Sequence, residues 1–151
     1  MILIDGNLLI HAVNQHAPVH RRAKAWVESV MSGTETICLP WTVILAFLRI
    51  STHPGVFQVP LRVERAFEVM DGWLAQPAVT IIEPTAKHGQ ILRNLFLPLG
   101  TGGNLTSDAH LAAIAIEHGA ELCSMDGDFA RFPGLRWRNP LVSSIVSFGP
   151  L

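Results

Sequence analysis

A chain of 151 residues fits one domain, 1–151, and is long enough to bury a sizeable core. Its composition, 49% hydrophobic and 15% charged, excludes a disordered chain, and no run approaches the roughly 18–20 apolar residues that span a bilayer. Eleven Lys and Arg against twelve Asp and Glu leave a net charge of −1, which excludes a protein that coats nucleic acid through its overall field. Any nucleic-acid role then rests on a local patch and a metal.

The first predicted element is a buried strand, "MILI" (1–4). Asp5 interrupts that run and no basic stretch precedes it, so no secretory signal peptide is expected. Asn7 is the expected cap of a helix from about Leu8 to Val13. Ala23, Trp26, Val27 and Val30 recur at helical spacing within a helix over His20–Met31, which Gly33 closes. "ETICL" (35–39) is a second strand, and Pro40 starts the apolar helix "WTVILAFLRI". A Pro- and Gly-rich loop follows, then an amphipathic helix over Leu61–Leu74. "VTII" (79–82) is a third strand, and Thr85 is the expected cap of a helix running through Leu97. After the glycine-rich loop "PLGTGGN", Ser107 or Asp108 begins the helix "DAHLAAIAIEHG", with Gly119 at its end. "ELCSM" is the fourth strand, "FARFPGLRW" a helical turn with a short fifth strand, and no element is predicted after Pro140.

Strands alternating with helices predict an α/β fold, three layers α/β/α around a mainly parallel sheet of four to five strands. The strands are unbroken in apolarity, as parallel strands buried on both faces are. Cys38 and Cys123 lie inside apolar runs without CxxC spacing, so they are expected to be buried free thiols in a reducing, cytoplasmic setting.

Ligands in open parallel sheets bind beyond the carboxyl ends of the strands. Asp5 follows the first strand, Asp126 the fourth, and Asp108 opens the helix after the glycine-rich loop, so the three can meet at one end of the sheet. Clustered carboxylates repel unless protonated or bridged by a cation, and hard cations such as Mg²⁺ take such oxygens. Each aspartate has a plainer role as turn former or cap. It is their coincidence that favours a metal site. An EF-hand reading of "DGDFARFPGLRW" fails, with Arg131 where the loop needs glycine and Trp137 where it needs glutamate. His110 points about 200° away from Asp108 around the helix, and Glu117 also faces the other side. The remaining histidines, His88 among them, are expected at the surface or as caps, and the four tryptophans as core anchors. Arg21, Arg22 and Lys24 read as a solvated face. Arg49, emerging from a very apolar helix, is positioned to neutralise the acidic cluster or touch a phosphate.

Four stretches carry a resemblance: "MILIDGNLLIHA", "LPWTVILAFLRISTHP", "TGGNLTSDAHLAAIAIEHGAEL" and "SMDGDFARFPGLRWRNPL". Together they span nearly the whole chain, which resembles PIN-domain ribonucleases, specifically the VapC toxins of bacterial VapBC toxin–antitoxin pairs in their actinobacterial form. The resemblance implies Mg²⁺- or Mn²⁺-dependent hydrolysis of a phosphodiester in a structured RNA, tRNA or rRNA. By position it implies Asp5, Asp108 and Asp126 as catalytic and metal-binding residues, with Asn7, Ser124 and Asp128 in support. It also implies a VapB-type antitoxin in the acidic groove, against the carboxylates or Arg49. Many members carry a glutamate in the middle of the third helix where this chain has Phe47. That departure predicts weaker metal affinity and a single ion, unless Glu64, Glu68 or Asp128 substitutes. The surplus apolar surface of "WTVILAFLRI" fits a homodimer interface. Two rivals are a PIN domain that binds RNA or antitoxin without cutting, and a HAD-type phosphatase. The latter needs a second acid where Asn7 stands.

Overall fold

The computed structural model describes residues 1–142; the stretch after Pro140, for which no element is predicted, leaves the described residues at 143. A five-stranded parallel sheet carries helices on both faces. Its strands are β1 (Ile2–Ile4), β2 (Ile37–Pro40), β3 (Val79–Ile82), β4 (Glu121–Cys123) and β5 (Trp137–Arg138), in the order β3-β2-β1-β4-β5. Six helices connect them: α1 (Gly6–Val13), α2 (His20–Met31), α3 (Trp41–Ser51), α4 (Val63–Leu74), α5 (His88–Phe96) and α6 (Thr106–Glu117). Short 3₁₀ turns occupy Leu97–Leu99, Gly103–Leu105 and Gly127–Arg131.

The central strands β1, β2 and β4 are buried residue by residue apart from half-buried Glu121, as their uninterrupted apolarity requires. The edge strand β3 departs from that expectation. Thr80 and Ile81, which point to opposite faces, are both exposed at this edge of the sheet. Leu3, Ile4, Leu8, Ile37, Phe47, Ile114 and Leu122 form the middle of the core. In α6, Ala109, Ala112, Ala113 and Ala115 are all buried, and such small side chains let a helix lie close to a sheet.

Several local expectations are corrected. The cap of α1 is Asp5, not Asn7: its extended backbone turns its carboxylate to accept from the Gly6 N–H at 2.7 Å, and the helix starts two residues early. Thr85 does not cap α5. Its hydroxyl accepts from the Lys87 N–H and donates to Glu117, so α5 opens only at His88. Helix α4 opens at Val63, not Leu61, whose N–H is held by the Ser51 carbonyl. Helix α2 closes on Ser32, and only the last of the predicted glycine stops, Gly119 at φ +65°, takes the left-handed conformation glycine favours. Helix α6 opens at Thr106, because the 3₁₀ turn before it feeds straight into the first α turn. Trp41 is no core anchor: it is 45% exposed, beside Leu45 at 58%, on the outer face of α3.

Candidate functional site

Because β1 and β4 are parallel neighbours with Ile4 opposite Cys123, the chain leaves both strands at the same level. Asp5 and Ser124 are the next residues, and their side chains meet. The Ser124 hydroxyl is fully buried and has all its hydrogen-bonding capacity in use. It donates to Asp5 Oδ2 at 2.7 Å and accepts from Asn7 Nδ2 and from the Asp126 N–H, each at 3.0 Å. Asn7 completes the bracket by accepting from the Met125 N–H. Trp137 of β5 donates its indole N–H to the Ser124 carbonyl. This network ties the head of α1 to the turn after β4. It brings Asn7 and Ser124, the polar groups the resemblance implies in support, into contact with each other, and Ser124 with Asp5.

The turn after β4 arranges the remaining acids. Asp126 accepts from the Asp128 N–H at 2.9 Å and thereby starts the 3₁₀ turn Gly127–Arg131. Asp108 arrives from α6, in whose first turn the helix dipole favours an anion. Asp108, Asp126 and Asp128 each present a carboxylate oxygen, and the three atoms lie within 4.8 Å of one another. Asp5 lies beside this triplet, one oxygen held by Gly6 and the other by Ser124. The oxygens that converge are thus not those of the expected trio: Asp128, expected only in support, stands in the triplet, and Asp5 is outside it. Of the three substitutes considered for a missing glutamate, only Asp128 is there. Glu64 and Glu68 pair with Arg62 and Arg65 on the exposed face of α4.

The electrostatics are those of an uncompensated cluster. Burial pushes Asp108 up to about 6 from 3.8, with the charges of Asp126, Asp5 and Asp128 adding to it. Burial raises Asp5 too; hydrogen bonds from Ser124 and Gly6 oppose that rise and the Asp126 charge adds to it. Hard carboxylate oxygens converging at this spacing suit a small divalent cation such as Mg²⁺ or Mn²⁺, so the donor set fits the ion. The sign of the pH effect follows. A raised carboxyl stabilises the fold fully below its unfolded value of 3.8, and that contribution is lost as pH rises through about 6. Metal-free Asp108→Asn should therefore match the wild type near pH 4 and exceed it at pH 7. The expected gain is roughly 1–2 kcal/mol, the full shift being reduced by solvent screening. Melting curves at both pH values check this. A variant no more stable than wild type at pH 7 would show that burial and repulsion together do not raise Asp108.

Phe47 takes no part in the site. It is buried at 1% exposure and packs edge-on against Trp73 of α4, ring centroids 4.8 Å apart. On α3 it is Ala46 that faces the start of α1: a Cβ built on Gly6 would stand 3.6 Å from its Cβ. Arg49 forms no ion pair among the described residues. It lines a groove of about 780 Å³ between α3 and α6 with Thr42, Leu45, Leu92, Ser107 and His110. Ala46 also lines it, as does Ser107, the residue before Asp108, whereas none of the four aspartates does.

One cluster escaped the sequence reading. Glu117 and His110 sit seven residues apart on one face of α6, turned away from Asp108 as predicted, and His88 at the start of α5 bridges them. His88 Nδ1 lies 2.5 Å from Glu117 Oε2, and His88 Nε2 lies 2.9 Å from His110 Nδ1. His88 is thus neither a free surface residue nor a cap. The partners are 22 and 29 residues apart, and nothing in their spacing announces the contact.

Comparison with known proteins agrees with this geometry. The PIN domain family model matches residues 2–135. Ribonuclease VapC37 of Mycobacterium tuberculosis is 41% identical over 140 residues, covering 93% of this chain and 97% of that protein. Ribonuclease VapC33 of the same species is 42% identical over 141 residues, covering 93% and 99%. Among solved structures, VapBC2 from Rickettsia felis, bound to a DNA fragment from its promoter, superposes with a TM-score of 0.68 at 24% identity, over 92% of this chain and 98% of that one. The chain belongs to the PIN-domain family and, within it, to the VapC group of toxin–antitoxin systems.

Proposed function

We propose that the chain is the toxin of a type II toxin–antitoxin pair and an endoribonuclease that hydrolyses a phosphodiester bond of a structured RNA, tRNA or rRNA, with Mg²⁺ or Mn²⁺. The observation that carries this reading is the convergence of Asp108, Asp126 and Asp128 at the carboxyl end of the sheet, with the charge of Asp5 felt beside them, where burial and mutual repulsion raise Asp108 to about 6. Asp108, Asp126 and Asp128 would hold the ion, with Asp5 completing the set. When bound, such an ion supplies Lewis acidity toward a phosphoryl oxygen.

The chain's own residues do the rest. Ser124 and Asn7 lock Asp5 and the Asp126 turn, so the carboxylates are held before substrate arrives. Asp126 or Asp108 orients the attacking water for in-line displacement, leaving a 5′-phosphate and a 3′-hydroxyl. Arg49 and the N-terminus of α6 flank the groove and draw phosphate toward it. A net charge of −1 confines RNA binding to this footprint and predicts a shallow salt dependence.

A VapB-type antitoxin would cover the acidic groove, with a basic side chain against the carboxylates. The exposed Trp41 and Leu45 of α3 suit pairing of two copies. No helix among the described residues is long and apolar enough to cross a membrane, in keeping with a cytoplasmic toxin.

The test is cleavage of total RNA by antitoxin-free protein, with Mg²⁺ or with EDTA, beside Asp5→Asn. Discrete fragments that require both the metal and Asp5 are expected. No cleavage by folded protein with metal would favour a PIN domain that binds without cutting.

A further inference from the structure

The short turn after β4 carries a cation as well as two acids. Asp126 starts the 3₁₀ turn Gly127–Arg131 by accepting from the Asp128 N–H, and Arg131 ends it. Phe129 and Phe132 are buried at 1% and 3% exposure with their rings 6.1 Å apart, and the Phe132 N–H donates to the Phe129 carbonyl. The backbone that carries residue 131 is therefore fixed from both sides, while its side chain is 59% exposed. Arg131 Nε lies 3.6 Å from Asp128 Oδ1, and Asp128 shares the triplet with Asp108 and Asp126. Among the described residues Arg131 is the one cation paired with any of the four acids. Arg136 and Arg138, further along the same stretch, are engaged by the Gly119 carbonyl and by Glu121. Arg49 lines a groove that none of the aspartates lines.

The pair explains little as a contact that holds the fold, since an exposed ion pair is screened by water. At 3.6 Å it is also too long for a hydrogen bond, so the guanidinium keeps its fork of N–H donors for another acceptor. The charge count says which kind. Four carboxylates outweigh one divalent cation, so even a loaded cluster repels the phosphate that it must admit. A fixed cation at the edge offsets that repulsion. A planar guanidinium matches two phosphate oxygens, where an ammonium offers only a point charge. We propose that Arg131 takes an RNA phosphate at the acidic cluster, binding it beside Asp128 as the substrate arrives. This role rests on the ribonuclease reading and names the residue of that site that receives the substrate backbone. A contact to phosphate carries no sequence information, so it adds affinity for RNA of any sequence.

The experiment measures two affinities of the full-length, antitoxin-free chain carrying Asp5→Asn, so that RNA is not cut: Mg²⁺ by calorimetry, and unfractionated tRNA at saturating Mg²⁺. Arg131→Gln should weaken tRNA binding roughly five- to twentyfold, the scale of one charge-assisted hydrogen bond reduced by exposure. The same change should tighten Mg²⁺ roughly two- to threefold, because a positive charge leaves the edge of the site. Arg131→Lys, which keeps the charge and loses the fork, should fall between the two on tRNA. If Arg131 only offset the charge of Asp128, Mg²⁺ would tighten and tRNA would bind as before, which overturns the proposal. If it only braced the turn, both ligands would weaken together and the melting temperature would fall, which overturns it too. Cleavage of total RNA by the wild-type chain, measured alongside, separates the two readings. tRNA held through Arg131 but no RNA cut with Mg²⁺ would fail the ribonuclease reading alone. RNA cut by a chain whose tRNA affinity ignores residue 131 would fail this proposal alone.

Discussion

Asp126→Asn is expected to lower RNA cleavage by on the order of 10²-fold or more while leaving the fold intact. Asparagine keeps the Oδ1 that accepts from the Asp128 N–H, so the 3₁₀ turn still forms. The backbone N–H of residue 126 still donates to Ser124, so the network around Asp5 is kept too. What disappears is one negative charge from a cluster in which repulsion is already written into Asp108. The variant should accordingly melt no lower than wild type without metal, while Mg²⁺ raises its melting temperature less. Asp128→Asn should cost less activity, since that carboxylate is 49% exposed and lies 3.6 Å from Arg131. Cleavage by Asp126→Asn within tenfold of wild type would show that the ion, and the reaction, do not depend on this carboxylate. Titration of RNA fragments against time, at fixed Mg²⁺, decides the matter.

The contrast between Asp126 and Glu117 shows what can be read along a chain and what cannot. Asp5 and Asp126 each stand directly after an apolar run that can only be a buried strand, and parallel neighbours must release such residues at the same end. Strand continuity and the helical repeat of Ala23, Trp26, Val27 and Val30 are local signals, and the sheet and α2 follow from them, with Ala23, Val27 and Met31 the residues the structure buries. The inclusion of Asp128 was less legible, because it depends on a 3₁₀ turn closed by the Asp126 side chain. The Glu117–His88–His110 chain was not legible at all. It exists because the start of α5 packs beside the end of α6, and no period or motif encodes that pairing of helices. The exposure of Trp41 escaped for a related reason: composition marks a helix as apolar but does not say which of its faces the sheet will cover.

Phe47→Glu is expected to unfold the protein before it adds a ligand. The family pattern invites this exchange, since a carboxylate in the middle of the third helix is what the chain lacks. In this fold, however, residue 47 points into the core, where the ring is 1% exposed and meets Trp73 edge-on. Removing the ring alone should cost about 3–5 kcal/mol, and the aromatic pair adds roughly 1 kcal/mol. A carboxyl with no partner there would be forced to stay protonated or leave the interior. A fall in melting temperature of about 10 °C or more is the expected reading, with no gain in affinity for Mg²⁺. Ala46→Glu is the informative counterpart. Ala46 is half-buried, lines the groove, and approaches the residue after Asp5 across the α1–α3 contact. A side chain at this half-buried position is not forced into the core, so the fold should survive, and if it extends past Gly6 to the acids divalent-ion affinity should rise severalfold. Calorimetric titration of the two variants with Mg²⁺ separates the alternatives. Tighter binding by a folded Phe47→Glu protein would mean that α3 can rotate its middle turn toward the acids. Unchanged binding by Ala46→Glu would mean that α3 is too far from them for any carboxylate on it to serve.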